Sequence, residues 1–250
     1  MRSQFLFGPV LILVFFWLFL EPGAMRSIET FAPQQAEEKR LRIIRFGGYR
    51  WVVKEGERLP PANNNWADDP RSVWIGTDGK LHLEIRKVGD VWYSAQITSQ
   101  RFASYGIHRF YIQSPVNDLS ANVVLGLFLY ADDHNEIDIE FKREVGSEHN
   151  AQYAIQPSHL SDYRHTFLLE YAGPTIHEID WQPDYVAFRT LAGDDPSAGR
   201  VLQEWRFERQ SIPREDKQLQ INMNLWLRNP SAQVEPIKVI ISDFETQYCP

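Results

Sequence analysis

Cysteine is almost missing from this chain of 250 residues: Cys249, next to the C-terminus, stands alone. An intrachain disulfide, a cysteine-rich zinc site and a thiol framework are thereby excluded, and stability must come from packing. Positive charge is also in short supply, 26 Lys and Arg against 33 Asp and Glu, for a formal net charge of −7. Phosphate binding needs a clustered excess of Lys and Arg, so a nucleic-acid partner is not expected and a neutral or polar ligand fits better. No internal repeat is visible, and no helical pattern is both long and capped. The N-terminal charge-free run from Phe5 to Leu20 falls short of the roughly 18 residues of a membrane span and contains Gly8 and Pro9.

That run follows Arg2 and precedes Gly23 and Ala24, the layout of a secretory signal peptide. Pro22 fits the small-x-small cleavage pattern poorly, which leaves an N-terminal membrane anchor as the other reading of residues 1–24. Met25-Arg26-Ser27 repeats Met1-Arg2-Ser3 and offers a second start, hence a cytoplasmic alternative. The expectation is a secreted or periplasmic protein that touches membrane only through such an anchor. Residues 25–42 read as a linker and 43–250 as one domain, a monomer.

Apolar residues make up 43% and aromatic residues 13%, enough for a sizeable core. From Ile43 onward short β-branched and aromatic runs are punctuated by Gly, Pro, Asn and Asp, which predicts an all-β body. Strands are expected at Leu81 to Ile85, Trp92 to Ser99, Gly106 to Gln113, Asn122 to Tyr130, Asn135 to Phe141, Asn150 to Gln156, Phe167 to Tyr171, Ile176 to Trp181, Tyr185 to Leu191, Val201 to Phe207, Leu219 to Leu227 and Ile237 to Phe244. So many strands in one domain imply two packed sheets or a closed barrel. "NNNWADDP", Asn63 to Pro70, reads as a surface loop.

One strand has unusual chemistry. In "NEIDIEF", Ile137, Ile139 and Phe141 alternate with Glu136, Asp138 and Glu140, so one face is apolar and the other carries three acids. Like charges at that spacing repel, and something must offset them. Retaining glycoside hydrolysis needs two carboxyl groups about 5 to 5.5 Å apart. The Cα atoms of Glu136 and Glu140 lie roughly 13 Å apart at about 3.3 Å per residue, a gap that long side chains on a concave strand can largely close. Other strands pair a core face with amides: Gln220, Asn222, Asn224 and Trp226 oppose Leu219, Ile221, Met223, Leu225 and Leu227, and Asn150, Gln152 and Gln156 oppose Ala151, Tyr153 and Ile155. Amides match hydroxyl groups and an indole offers a flat plate to a sugar ring, so these faces point to a sugar-binding sheet.

The string Glu136-Ile137-Asp138-Ile139-Glu140 resembles the E-x-D-x-E signature of glycoside hydrolase family 16, in the unbulged form of bacterial lichenases and xyloglucan endotransglycosylases. "ITSQRFASYGIHRFYIQSP", "VVLGLFLYADDHNEIDIEF", "EIDWQPDYVAF" and "INMNLWL" resemble further segments of that family in the family's order. The resemblance implies a jelly-roll β-sandwich of two curved antiparallel sheets with a concave substrate cleft, and a retaining endo-acting hydrolase of a β-glucan or related polysaccharide. It implies Glu136 as nucleophile, Glu140 as general acid/base and Asp138 as the assisting carboxylate. It also implies Asn224, Trp226 and Phe128 as sugar contacts. Two departures stand out: "DDHN" occupies the place of a common Trp before the motif, and His177 is displaced towards Trp181 from the family's usual hairpin histidine. Specificity is not transferred.

His134 shares the parity of the three acids and could join them as a metal ligand, but a straight strand row rarely wraps an ion. It is expected at the rim, with no cofactor and no indicated structural calcium ion. The rival readings are a transglycosylase on the same site, a non-catalytic carbohydrate-binding module, and a structural sandwich with solvated acids.

Overall fold

In this computed structural model the described residues are 41–144, 146–232 and 235–248. The signal or anchor reading of 1–24, the linker reading up to residue 40 and Cys249 lie outside them. Among the described residues no helix is long and apolar enough to cross a membrane.

Alternation of apolar and polar side chains organises the chain into two facing antiparallel sheets. The cleft sheet runs, in spatial order, β1 (Ile43–Phe46), β2 (Tyr49–Val53), β7 (Val91–Phe102), β16 (Gln220–Leu227), β9 (Val123–Asp132), β10 (Asn135–Lys142), β11 (Ala151–Ile155) and β12 (Arg164–Phe167). The back sheet runs β5 (Val73–Ile75), β6 (Leu81–Val88), β17 (Ile237–Tyr248), β8 (Gly106–Ile112), β13 (Thr175–Trp181), β14 (Val186–Ala192) and β15 (Arg200–Phe207). β3 (Gly56–Leu59) and β4 (Asn64–Trp66) form a side ladder, with β4 parallel to β7. This is the jelly-roll sandwich.

The core lies between the sheets. Ile137, Ile139 and Phe141 of β10, Leu125, Leu127 and Leu129 of β9, and Ile221, Met223 and Leu225 of β16 are fully buried. Each such side chain contributes roughly 1.5–3 kcal/mol. Opposite them, Tyr153 of β11 stacks on Phe188 of β14 at 4.9 Å and bonds Thr190 through its hydroxyl at 2.7 Å. His177 is a core residue as well. Its ring packs on Phe141 at 4.7 Å and bonds both Thr175 and Thr190, and burial lowers its pKa to about 3.

Three expectations are corrected. "NNNWADDP" contains β4 and is not a surface loop: Asn64 and Trp66 are buried, because the Asn64 carboxamide bonds the backbone N–H and C=O of Leu227 at 3.1 and 2.8 Å and accepts from Ser94 Oγ at 2.6 Å. The strand placed at Phe167 to Tyr171 is instead Arg164–Phe167. Beyond it, the Asn150 carboxamide bonds both backbone groups of Leu169, so a side chain replaces the ladder there. β10 also extends one residue further than expected, to Lys142.

Candidate active site

The acidic face of β10 forms part of the floor of a cleft of about 450 Å³. β10 is an interior strand, held by β9 on one side and β11 on the other, so the pleat alone sends Glu136, Asp138 and Glu140 to one face. Cross-strand register then fixes their neighbours. Glu140 lies opposite Gly126 of β9 and Gln152 of β11, and Gly126 in turn lies opposite Asn224 of β16. Asp138 lies opposite Phe128, which faces Asn222. Glu136 lies opposite Tyr130.

The hairpin before the motif explains what "DDHN" does here. Asp132 Oδ1 accepts the backbone N–H groups of His134 and Asn135 at 2.9 and 3.1 Å, an Asx-type turn that launches β10. The register shift beside Asn135 and Glu136 comes from an extra residue on β9, Ala131, and leaves the parity of β10 itself intact. His134 sits exposed in the turn, before the strand begins. Among the described residues no group of three or more His, Cys, Asp and Glu could hold a metal ion.

Amides grip the two outer acids. Gln156 Nε2 donates to Glu136 Oε2 at 3.2 Å, and Gln152 Nε2 donates to Glu140 Oε2 at 2.8 Å. Lys142 Nζ also reaches Glu140 Oε2, at 2.8 Å. Burial pushes the Glu136 carboxyl up to about 7, with the Glu140 and Asp133 charges adding to the rise and the Gln156 bond opposing it. Asp138, more deeply buried between two acids, is raised well above the ordinary carboxylate range, first by desolvation and then by Glu140 and Glu136. Burial and its two acidic neighbours thus favour the protonated form of the central acid, which eases the repulsion within the row.

Phe128, Asn224 and Trp226 all line the cleft as expected. Asn224 Oδ1 is buried with no hydrogen-bond partner among the described residues. Gly126 makes room for it: a Cβ there would meet that oxygen at 2.6 Å. Sequence reasoning missed Tyr130, Lys142, Arg164 and Lys54, which also line the cleft. Tyr130 shares the parity of Phe128 and Lys142 that of Glu140, a signal that was present. Lys54 follows β2 and hangs on contacts no periodicity reports, the Pro60 carbonyl at 2.8 Å and the Trp66 ring at 4.1 Å.

No protein-family model and no curated protein sequence matches this chain. Solved structures do. The β-glucanase of Bacillus licheniformis superposes with a TM-score of 0.62 at 17% identity, over 80% of this chain and 92% of its own. A β-1,3-1,4-glucanase (lichenase) from a mouse hindgut metagenome gives 0.58 at 18% identity, over 78% and 90%. The glycoside hydrolase family 16 endo-glucanase of Bacteroides ovatus gives 0.57 at 15% identity, over 79% and 94%. With the acidic row on its cleft sheet, this chain has the jelly-roll fold of the glycoside hydrolase family 16 β-glucanases.

Proposed function

We propose that this protein is a retaining, endo-acting glycoside hydrolase of a β-glucan or related polysaccharide. The observation that carries the reading is the row Glu136, Asp138, Glu140 in the floor of a cleft whose lining comes from both ends of the sheet, Lys54 after β2 to Arg164 on β12. Six strand spacings separate those ends, roughly 25–30 Å, room for a run of sugars on either side of the acids. The similar structures include β-glucanases and an endo-glucanase, which supports the same class of substrate.

In this reading Glu136 attacks the anomeric carbon and Glu140 protonates the departing oxygen, then takes a proton from the water that releases the product. Asp138, whose protonated form burial favours, stands between the two as the assisting carboxyl. Phe128, Trp226 and Asn224 hold the sugars. A secreted or periplasmic location belongs to the same proposal, on the strength of the Phe5 to Leu20 run.

The test is reducing-end release by the purified protein from barley β-glucan, laminarin, xyloglucan, agarose and κ-carrageenan, beside Glu136→Gln. Release from a β-glucan, abolished in the variant, is expected. Glu136→Ala should regain turnover of an activated glycoside with azide, giving a glycosyl azide of inverted configuration. A wild-type protein that binds a polymer and releases nothing would refute hydrolysis. One observation favours that second, non-catalytic reading: Lys142 holds Glu140 in an ion pair, which occupies the oxygen that would have to face the leaving group.

A further inference from the structure

Among the described residues three cations line the cleft. Lys54 is committed to Pro60, Gln96 and the Trp66 ring. Lys142 rests on Glu140, both side chains being largely buried, at 20% and 17% exposure. Arg164, the first residue of β12, lines the cleft, and its guanidinium makes no hydrogen bond or ion pair with any described residue.

Register explains how Arg164 reaches the site. It lies opposite Ala154 on β11, which lies opposite Asp138 on β10. Two strand spacings, roughly 10 Å, separate the Arg164 and Asp138 backbones, and only the Ala154 methyl stands between them on that face. Beyond Glu140 a second hollow of about 220 Å³ continues the cleft and shares Lys142, Gln152 and Arg164 with it. It adds the hydroxyl-bearing Ser147 and Thr166 and the exposed His149. Among the described residues its one carboxylate, Glu144, is exposed. In a chain of net charge −7, the acidic end of the cleft therefore opens onto an edge rich in cationic and neutral donors.

We propose that the β12 end of the cleft takes a sugar bearing an anionic substituent, a carboxylate or a sulfate, held by Arg164 and Lys142. This rests on the reading of the cleft as a polysaccharide site and names a chemical class for its substrate. Charged hydrogen bonds to such a group are short and directional, and the guanidinium fork matches its oxygens. Occupation also gives Lys142 a second partner. As its ammonium moves towards the anion, Glu140 Oε2 loses that contact and is freer to face the leaving group. The ion pair that argues against catalysis then belongs to the empty cleft.

Calorimetric titration of the purified protein with a neutral β-glucan oligosaccharide, and with its C6-carboxylated and sulfated counterparts, tests this without requiring turnover. One retained charged bond favours the acidic ligand by about tenfold at low salt, and the preference should shrink at high salt. Arg164→Gln and Lys142→Met should each reduce the ratio of acidic to neutral affinity. The acidic counterpart that binds tighter identifies the substituent. Equal affinity for all three sugars, a preference untouched by Arg164→Gln, or no binding of either acidic sugar would overturn the inference. Hydrolysis of a neutral glucan with no acidic preference would sink this inference alone. Acidic preference without hydrolysis of any polymer would sink the hydrolase reading and leave the anionic subsite standing.

Discussion

Replacing Glu136 with Gln should stabilise the protein at pH 8 and leave it nearly unchanged at pH 4.5. Burial raises this carboxyl from its ordinary 4.5 to about 7. Between those values the folded state holds a proton that the unfolded state has released, so stability falls as pH rises through the window. Above it the folded protein carries a poorly solvated charge, and the full rise corresponds to about 3 kcal/mol. Water in the cleft screens part of that cost, which brings the expected gain to about 2–3 kcal/mol. Gln keeps the shape and can still accept the 3.2 Å bond from Gln156, so little is lost in exchange. The assay is urea unfolding of both proteins at the two pH values. With an m-value of about 3 kcal/mol per molar, the midpoint should move up by somewhat under 1 M at pH 8. The same shift at both pH values, or a loss of stability at pH 8, would refute the electrostatic account of the site.

Other predictions concern the same cleft and its supports. Glu140→Gln should slow glycosides with poor leaving groups far more than those with good ones, read as kcat for a series of aryl glycosides; equal loss across the series would reassign the acid role. Gly126→Ala places a methyl 2.6 Å from Asn224 Oδ1 in the floor beside Glu140, and should leave the fold intact by circular dichroism while lowering kcat/KM about tenfold or more. Asn64→Ala strands both backbone groups of Leu227 that the carboxamide now satisfies, and should cost about 3 kcal/mol in chemical unfolding. A loss under about 1 kcal/mol would mean that other groups satisfy Leu227 in the variant.

Periodicity made most of the sandwich legible, because each long strand has one face on the core: the alternation in β10 recurs in its burial pattern, whereas in β16 the amides Asn222 and Asn224 are buried along with the apolar face. It failed at the N-terminal strands β1 to β5, which are three to five residues long and too short to display a period. Asn64 and Trp66 looked like loop residues because an asparagine can be buried only when its amide is fully engaged, and its partner Leu227 is 163 positions away. In the cleft, the residues on β10 and β16 were readable from parity alone. Arg164 was not, since its place depends on β12 pairing with β11, and that strand had been expected three residues later, at Phe167. His134 went the other way: its parity was sound arithmetic, but it stands in the Asx turn before β10 begins, where strand parity does not apply.

Because Glu136, Asp138 and Glu140 all stand on one strand with ladders on both sides, their backbone spacing comes in discrete steps. Removing a residue between them, or adding one that no β-bulge absorbs, would turn at least one carboxylate inward and an apolar neighbour outward, so the row tolerates a change of length only where a bulge restores the parity. Only side-chain length, Asp against Glu, offers a graded adjustment of reach. The flanking strands and loops are under no such constraint. A lineage could therefore exchange Arg164, Lys54 or the β10–β11 loop, and with them the lining of the cleft, while the acidic row is handed down intact.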